Sequence, residues 1–335
     1  MKRFLAAAAA SILIFPLSAP ARAVSVSASG AVLIEAESGD VIYEKDAHTR
    51  RGPASTTKIM TALVAAEHSS PDEIVMVDGR AVGVEGSSAY LYAGEKVTME
   101  TLMYALMLRS ANDAAAAIAY HVAGGIEEFA ALMNEKAAAL GLCDTHFSNP
   151  HGLDDDDHYT SAYDLAMIAR AALENETVGK IVGTKKYSAK MDGGDATRVF
   201  VNHNRLLFSY DDIIGVKTGF TKKCGRTLVS AALRDGVTVI AVTLDDGDDW
   251  RDHRAMLDYG LSLYERVTLC RAGDFVSEVA AKSGKVILSA PCDFSVTLPR
   301  ERGEIGIEEE YSAIGGRVRF YLDGEMIGDV PLIPG

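Results

Sequence analysis

The sequence predicts two parts: a larger α+β domain with helices around an antiparallel sheet, and a small all-β domain at the C-terminus. Strand-like segments near residues 32 and 244 bracket a centre in which apolar residues recur at helical spacing. After about Cys270, short β-branched segments alternate with Gly, Pro and Asp turns. A chain of 335 residues with 48% hydrophobic side chains can bury two cores. We therefore predict domains at 24–268 and 269–335.

The first 23 residues have the composition of an export signal. A basic start, Lys2-Arg3, precedes the apolar run Phe4–Leu17, and Ala21-Arg22-Ala23 offers the small-x-small pattern that signal peptidase accepts. The alternative is a retained membrane helix, but this run is shorter than the roughly 20 residues that a bilayer needs, and Pro16 interrupts it. We expect cleavage after Ala23 and a protein that works outside the cytoplasm, in the cell envelope or secreted. No membrane anchor is evident.

The elements of the larger domain follow from changes in the period of its apolar residues. A hairpin is predicted first, with strands Val32–Glu35 and Val41–Tyr43 around the turn Ser38-Gly39-Asp40. A second hairpin is predicted where β-branched residues flank Arg234-Asp235-Gly236, with strands Leu228–Leu233 and Val237–Leu244. Uninterrupted helix-forming residues predict the helices: Thr56–Glu67, Thr101–Val122, Ile126–Leu140, Ala162–Leu173 and Trp250–Tyr264.

In the smaller domain the same reasoning predicts short strands and no helix. The strands are Val286–Leu288, Phe294–Leu298 and Arg317–Leu322, and Asp323-Gly324 predicts a hairpin corner. Two cysteines of this region, Cys270 and Cys292, could form a disulfide. With Cys143 and Cys224 three pairings exist, and four reduced thiols are an equal alternative.

Charge and composition exclude several classes of function. The formal charge of −14 and the lack of any Lys/Arg cluster argue against a nucleic-acid partner, because phosphate binding needs clustered cations. There is no C-x-x-C pair, and the eight histidines are scattered, so no zinc site is predicted. The acidic run at residues 154–157 is most simply a solvated loop. We expect no cofactor and no metal.

Three short motifs carry candidate chemistry. Ser55-Thr56-Thr57-Lys58 places a hydroxyl and an amine three residues apart at the start of a helix, on one face. An amine held partly away from water loses its proton more readily, so Lys58 could activate Ser55 as a nucleophile. Ser110-Ala111-Asn112 could relay a proton and hold a substrate amide. Lys217-Thr218-Gly219, on a strand edge, could bind a carboxylate and let a ligand approach the backbone.

In this order the motifs resemble those of the penicillin-binding protein and serine β-lactamase superfamily. Longer strings show a closer resemblance to the low-molecular-weight D-alanyl-D-alanine carboxypeptidases of the peptidase S11 family. This resemblance extends from about residue 25 to residue 265. These strings are Pro53–Ala62, Asn149–Leu153, His158–Ala166 and Asn204–Leu207. The resemblance implies a β-lactamase/transpeptidase-like catalytic domain, and the β-rich tail resembles, more loosely, the family's second domain.

The resemblance also implies a reaction. Ser55 would attack the carbonyl between the last two D-alanines of a peptidoglycan stem peptide, Lys58 would take its proton, and Ser110 would pass that proton to the leaving amine. Water would then hydrolyse the acyl-enzyme, and β-lactam antibiotics would inhibit by acylating Ser55.

The remaining site residues would bind the substrate. Asn112 would hold the peptide amide, Lys217 and Thr218 would bind the terminal carboxylate, and Gly219 would let the backbone come close. The backbone N–H groups of Ser55 and Phe220 would form the oxyanion hole. His203 stands where relatives often carry a basic residue, and Cys224 where a small residue is expected.

Alternative functions are weighed on the same residues. His151 and His158 could suggest a Ser-His-Asp triad, but Lys58 already supplies a base, so both are interpreted as loop residues that shape the fold. A serine β-lactamase would need its own deacylation base, and no E-x-x-L-N string lies between Ser110 and Lys217. A D,D-endopeptidase of the same fold stays open. A non-enzymatic wall-binding or penicillin-sensing protein would usually have a broken motif, whereas all three are intact.

Overall fold

The computed structural model describes residues 24–190, 197–281, 284–312 and 315–334. The predicted export signal, residues 1–23, lies outside the described residues. Within the described ranges, no helix combines the length and the apolar character needed to cross a bilayer.

Strands and helices are numbered in chain order. The strands are β1 Gly30–Glu35, β2 Val41–Lys45, β3 Ile74–Met76, β4 Lys96–Thr98, β5 Lys186–Lys190, β6 Thr197–Val201, β7 Ile213–Thr221, β8 Gly225–Arg234, β9 Val237–Leu244, β10 Tyr264–Cys270, β11 Ser277–Ala281, β12 Gly284–Ser289, β13 Phe294–Pro299, β14 Ile305–Ser312, β15 Gly315–Leu322 and β16 Glu325–Pro334. The α-helices are α1 Lys58–His68, α2 Met99–Leu108, α3 Asn112–Ala123, α4 Ile126–Ala139, α5 Ala162–Glu174, α6 Glu176–Val182, α7 Leu206–Ser209 and α8 Asp249–Leu263.

One five-stranded antiparallel sheet organises the larger part of the chain, in the order β2-β1-β9-β8-β7. Helices cover both of its faces, which explains why its inner strands β1 and β9 are buried at nearly every position. Alternate residues point to opposite faces: Val32 and Ile34 pack with helices α1–α6, whereas Ala31 and Leu33 pack with α8. Strand β7 is an edge strand of this sheet.

The predicted hairpins are confirmed. Asp235 and Gly236 join β8 to β9 with φ values of 52° and 80°, and Asp323-Gly324 joins β15 to β16 with 51° and 88°. Two successive positive φ angles match the right-handed twist of the flanking strands, so an Asp-Gly pair suits both turns. The Ser38-Gly39-Asp40 turn likewise joins β1 to β2.

The single helix predicted over Thr101–Val122 is wrong. The structure has two helices there, α2 and α3, separated at Arg109–Ala111, and Ser110 takes a φ of 61°. A left-handed residue cannot continue an α-helix. The Asn112 N–H donates to the carbonyl of Ser87 at 2.7 Å. The sequence stays apolar through the break because both helices pack into the same core.

The C-terminal part is all-β, as predicted. Strands β10 and β13 pair with each other, and β11-β12-β16-β15-β14 form a second sheet around Leu288, Val318, Phe320 and Val330. The predicted domain boundary at 268/269 falls inside β10, which follows α8 directly. All four cysteines are free in the structure; Cys270 is buried.

Candidate active site

Ser55 lies in a short 3-10 turn, Ala54–Thr57, that runs directly into α1. The turn is fixed by its own hydroxyls, because Thr56 Oγ1 donates to the Pro53 carbonyl at 2.6 Å and Thr57 Oγ1 to the Ala54 carbonyl at 2.8 Å. The three-residue spacing predicted from the sequence then brings Lys58 Nζ to 3.0 Å from Ser55 Oγ. The proposed nucleophile and base are therefore in hydrogen-bond contact.

Lys58 is completely buried. Its Nζ also donates to the carbonyl of His151 at 2.5 Å. Burial, with a smaller contribution from the charge of Lys217, holds the pKa of the Lys58 amine well below its usual value. A neutral amine retains a lone pair, so Lys58 can accept the proton of Ser55 while one of its N–H groups stays bound to His151.

The carbonyl of His151 reaches Lys58 because the chain packs tightly behind the nucleophile. At Gly152, where φ is 79°, a Cβ atom would lie 1.9 Å from the Ala54 carbonyl oxygen, so only glycine fits this position. Nearby, His158 Nδ1 accepts from the Ser148 N–H, which leaves Nε2 to donate to Thr57 Oγ1 at 2.8 Å.

Neither histidine belongs to a triad. Burial lowers the pKa of His158 to about 4 and that of His151 to about 3, so both are neutral at pH 7. Their hydrogen bonds run to Thr57, to Ser148 and to the Leu153 N–H. They shape the loop that carries the carbonyl partner of Lys58, as expected from the sequence.

The second motif, Ser110-Ala111-Asn112, lies at the break between α2 and α3. Ser110 lines the same cavity as Ser55, and Asn112 begins α3 behind it. Asn112 Nδ2 donates to the Glu85 carbonyl at 2.5 Å, whereas its Oδ1 is buried and makes no hydrogen bond within the described part of the chain. A buried amide oxygen without a donor costs about 1–3 kcal/mol.

The third motif lies on edge strand β7. Lys217 is 2% exposed, its Nζ donates to the Thr218 carbonyl at 2.8 Å, and burial lowers its pKa to about 7. At Gly219 a Cβ atom would lie 2.9 Å from the Ser55 backbone nitrogen and 2.4 Å from Thr227 Oγ1. Glycine is required here because β7 runs against the turn that carries the nucleophile.

A cavity of about 700 Å³ joins these elements. The sequence-predicted residues on its wall are Ser55, Ser110, Thr218, Gly219 and Phe220. The other three, Lys58, Asn112 and Lys217, are buried and do not line it. His203 lines the cavity too, and burial together with the nearby positive charge of Lys217 lowers its pKa.

Other residues of the site were missed by sequence reasoning. Arg226 and Asp249, which line the cavity, form an ion pair at 3.3 Å. Asp113 is 1% exposed and accepts hydrogen bonds from the chain beside the cavity. Asp113 could have been found from the sequence, because it lies at the start of an alanine-rich helix. A carboxylate in such an apolar segment is rarely buried without hydrogen-bond partners.

The described ranges contain no group of three or more His, Cys, Asp or Glu side chains placed to hold a metal ion. Cys224 lies in the turn after β7 and packs against Gly52. Its thiol is 3.3 Å from Asp154 Oδ1. Burial raises the pKa of this thiol, so it is a poor nucleophile.

The sequence profile of the peptidase S11 family, the D-alanyl-D-alanine carboxypeptidases, matches residues 17–248. The chain belongs to this family. It is therefore an enzyme of the carboxypeptidase class, with the fold of the penicillin-binding proteins and DD-transpeptidases.

Individual relatives agree with this assignment. The D-alanyl-D-alanine carboxypeptidase DacF of Bacillus subtilis is 37% identical over 77% of this chain and 68% of its own length. DacA of Escherichia coli is 30% identical over 92% of this chain and 83% of its own. Among solved structures, DacD from Francisella tularensis matches with a TM-score of 0.70 at 28% identity, over 98% of this chain and 96% of its own. Penicillin binding protein 5 from Haemophilus influenzae matches with 0.72 at 26% identity, over 92% and 97%.

Proposed function

We propose that this carboxypeptidase removes the terminal D-alanine from peptidoglycan stem peptides through a Ser55 acyl-enzyme. The observation that carries the proposal is the 3.0 Å contact between Ser55 Oγ and the amine of Lys58, in a buried site that holds the pKa of that amine well below its usual value. Such a pair activates a hydroxyl that is a weak nucleophile at its ordinary pKa.

The reaction proceeds in two halves. Ser55 Oγ bonds to the carbonyl carbon between the two D-alanines while its proton moves to Lys58, and the backbone N–H groups of Ser55 and Phe220 stabilise the resulting oxyanion. The C–N bond then breaks, and Ser110 relays the proton to the leaving amine of D-alanine. Water adds to the acyl-enzyme, releasing the shortened peptide as a carboxylic acid and restoring the Ser55 hydroxyl.

Substrate binding is assigned to the groups around the nucleophile. The unpartnered Oδ1 of Asn112 accepts the N–H of the amide upstream of the penultimate D-alanine. The Thr218 hydroxyl holds the terminal carboxylate, and Lys217, whose ammonium is bonded to the Thr218 carbonyl, supplies positive charge from behind. Binding of an anion favours the protonated form of Lys217, since opposite charges raise the pKa of an amine.

Release of D-alanine from an N-acylated peptide ending in D-Ala-D-Ala, compared with hydrolysis of benzylpenicillin, tests the proposed function. We expect D-alanine release with turnover, and one-to-one labelling by penicillin that reverses slowly. Rapid penicillin hydrolysis without D-alanine release would instead identify a β-lactamase, and labelling without any peptide turnover would identify a penicillin sensor.

Lys217→Gln separates carboxylate recognition from chemistry. For a peptide with a free terminal carboxylate we expect kcat/KM to fall about 10- to 150-fold, the range for a charge-assisted contact. The C-terminally amidated peptide has no charge to pair, so its kcat/KM should change little. Equal losses on the two peptides would show that Lys217 acts mainly on the proton relay.

We also propose that the protein is exported and acts in the cell envelope, where its substrate is found. The N-terminal sequence supports this proposal. N-terminal sequencing of the protein from a culture should begin at Val24, whereas a retained Met1 would contradict cleavage.

A further inference from the structure

Two of the four cysteines lie at one end of the antiparallel ribbon formed by β10 and β13. Cys270 is the last residue of β10 and pairs in register with Phe294, the first residue of β13. Cys292 precedes Phe294 by two residues. At the opposite end of the ribbon, Tyr264 pairs with Pro299 and follows α8 directly. Both thiols are therefore at the end of the ribbon that is remote from α8.

Hydrogen bonds on both sides of Cys292 hold its segment against the chain that follows β10. Before Cys292, the carbonyl of Ala290 accepts the Gly273 N–H at 2.9 Å. After Cys292, the carboxylate of Asp293 accepts the Ala272 N–H at 2.8 Å. Cys292 thus lies in a short segment that is bonded at both of its ends to the residues just after β10.

The Cys270 sulfur lies against the start of β13. Burial raises the pKa of the Cys270 thiol, whereas a hydrogen bond from the backbone N–H of Phe294 lowers it. The negative charges of Asp274, Cys292 and Asp293 also raise this pKa. The hydrogen bond places the Cys270 sulfur at the backbone of Phe294, two residues from Cys292, and the charge of the second thiol is felt there. The register, the flanking hydrogen bonds and this contact agree that the two cysteines are neighbours.

The two thiols differ in their access to solvent. Cys270 is 2% exposed and packs with Leu288 and Phe320 in the core of the C-terminal sheet, whereas Cys292 is exposed. Of these two thiols, a disulfide in solution can therefore reach only Cys292. Cys270 is oxidised only by a sulfur that Cys292 carries to it.

We propose that Cys270 and Cys292 form a disulfide when the protein meets a disulfide donor, R–S–S–R, of an oxidising compartment. The Cys292 thiolate attacks one sulfur of the donor, which gives a mixed disulfide and releases the first R–S⁻. The Cys270 thiolate then attacks the Cys292 sulfur, which forms the intramolecular bond and releases the second R–S⁻. The two cysteines lose two electrons and two protons, and the donor is reduced to two thiols. The structure holds both cysteines in the thiol form that precedes this reaction.

The disulfide acts on the stability of the C-terminal part and not on the reaction at Ser55. It closes a loop that contains β11 and β12, so it removes open conformations of this loop from the unfolded chain. Compartments outside the cytoplasm allow such bonds to persist, which agrees with the proposed export.

Oxidised glutathione tests the proposal on the purified, fully reduced protein. After incubation, free thiols are blocked with N-ethylmaleimide, and the intact mass and the peptides are measured. We expect a cross-linked peptide pair that joins Cys270 to Cys292, with neither glutathione nor maleimide on these two residues. Cys143 is the internal control, because it is also exposed but lies in the larger domain, and it should carry glutathione or maleimide.

Two variants separate the roles of the two thiols. In Cys270→Ala the mixed disulfide at Cys292 has no second thiol to resolve it, so glutathione should remain on Cys292. In Cys292→Ala the buried Cys270 should stay a free thiol in the folded protein. In the unmodified protein, glutathione that remains on Cys292, four free thiols, or a cross-link from Cys292 to Cys143 or Cys224 would overturn the proposal.

Trypsin cleavage, followed on reducing gels, measures the effect of the disulfide on stability. Lys285, an exposed residue of β12, lies inside the closed loop. We expect cleavage after Lys285 to be at least about 10-fold slower in the oxidised protein than in the reduced protein, because cleavage of a strand requires local opening. Oxidation should not change this rate in Cys292→Ala, and benzylpenicillin should label the oxidised and reduced proteins at the same rate. Equal cleavage rates in the two forms of the unmodified protein would contradict the stabilising role.

Discussion

Ser55→Ala should abolish covalent labelling by benzylpenicillin and reduce D-alanine release by at least about 10⁴-fold, because no acyl-enzyme can form without the hydroxyl. Lys58 stays in place in this variant, so any residual hydrolysis would report binding, the oxyanion donors and the action of Lys58 on a water molecule. Mass spectrometry of the intact protein after exposure to penicillin measures the label directly.

The matched control is Ser209→Ala, which removes the hydroxyl of an exposed serine at the end of α7. This variant should be labelled one to one and at the normal rate. Covalent labelling that persisted in Ser55→Ala would identify a different nucleophile and would remove Ser55 from its assigned role.

Lys58→Arg should lower the acylation rate by about 10²- to 10⁴-fold, the usual contribution of a general base. Arginine keeps a positive charge and donors for the His151 carbonyl, but it does not give up its proton near neutral pH. In the unmodified protein the acylation rate should rise with pH through the lowered pKa of Lys58 and then level off, because the neutral amine is the active form.

Stopped-flow acylation by a chromogenic β-lactam between pH 5 and 10 measures both effects. The control is Lys136→Arg, which changes a lysine that forms an ion pair with Glu67 on the helical surface and should keep the normal rate and pH profile. A normal acylation rate in Lys58→Arg would show that another group takes the proton from Ser55.

The sequence predicted those parts of the site that depend on local geometry. Ser55 and Lys58 are three residues apart on one helical turn, and Asp-Gly corners specify their own backbone angles, so both were visible without a structure. The motif residues on the cavity wall were also identified, because the three motifs, each weak alone, occur together in the order that is typical of the family they resemble.

What the sequence did not reveal depends on contacts between distant segments. The carbonyl partner of Lys58 comes from His151, 93 residues away, and a backbone group has no side-chain signal. The break at Ser110 was missed because apolar residues continue through it. Strand β14 was missed because Glu308, Glu309 and Glu310 are all exposed, which removes the alternation that marks a half-buried strand.

The two buried lysines make folding release protons. In the unfolded chain each amine holds its proton up to about pH 10.4, whereas in the folded protein the pKa of Lys217 is about 7 and that of Lys58 is also lowered. Between those pH values the unfolded state binds more protons, so the free energy of unfolding rises with pH, by at most about 1.4 kcal/mol per unit for each lysine. Thermal unfolding between pH 7 and 9 should show a flatter rise in Lys217→Met than in the unmodified protein, and equal slopes would contradict this. A rise in pH above neutral therefore increases the stability of the fold and also deprotonates Lys58. The same two amines thus link the pH range in which the enzyme is active to the pH range in which it is most stable.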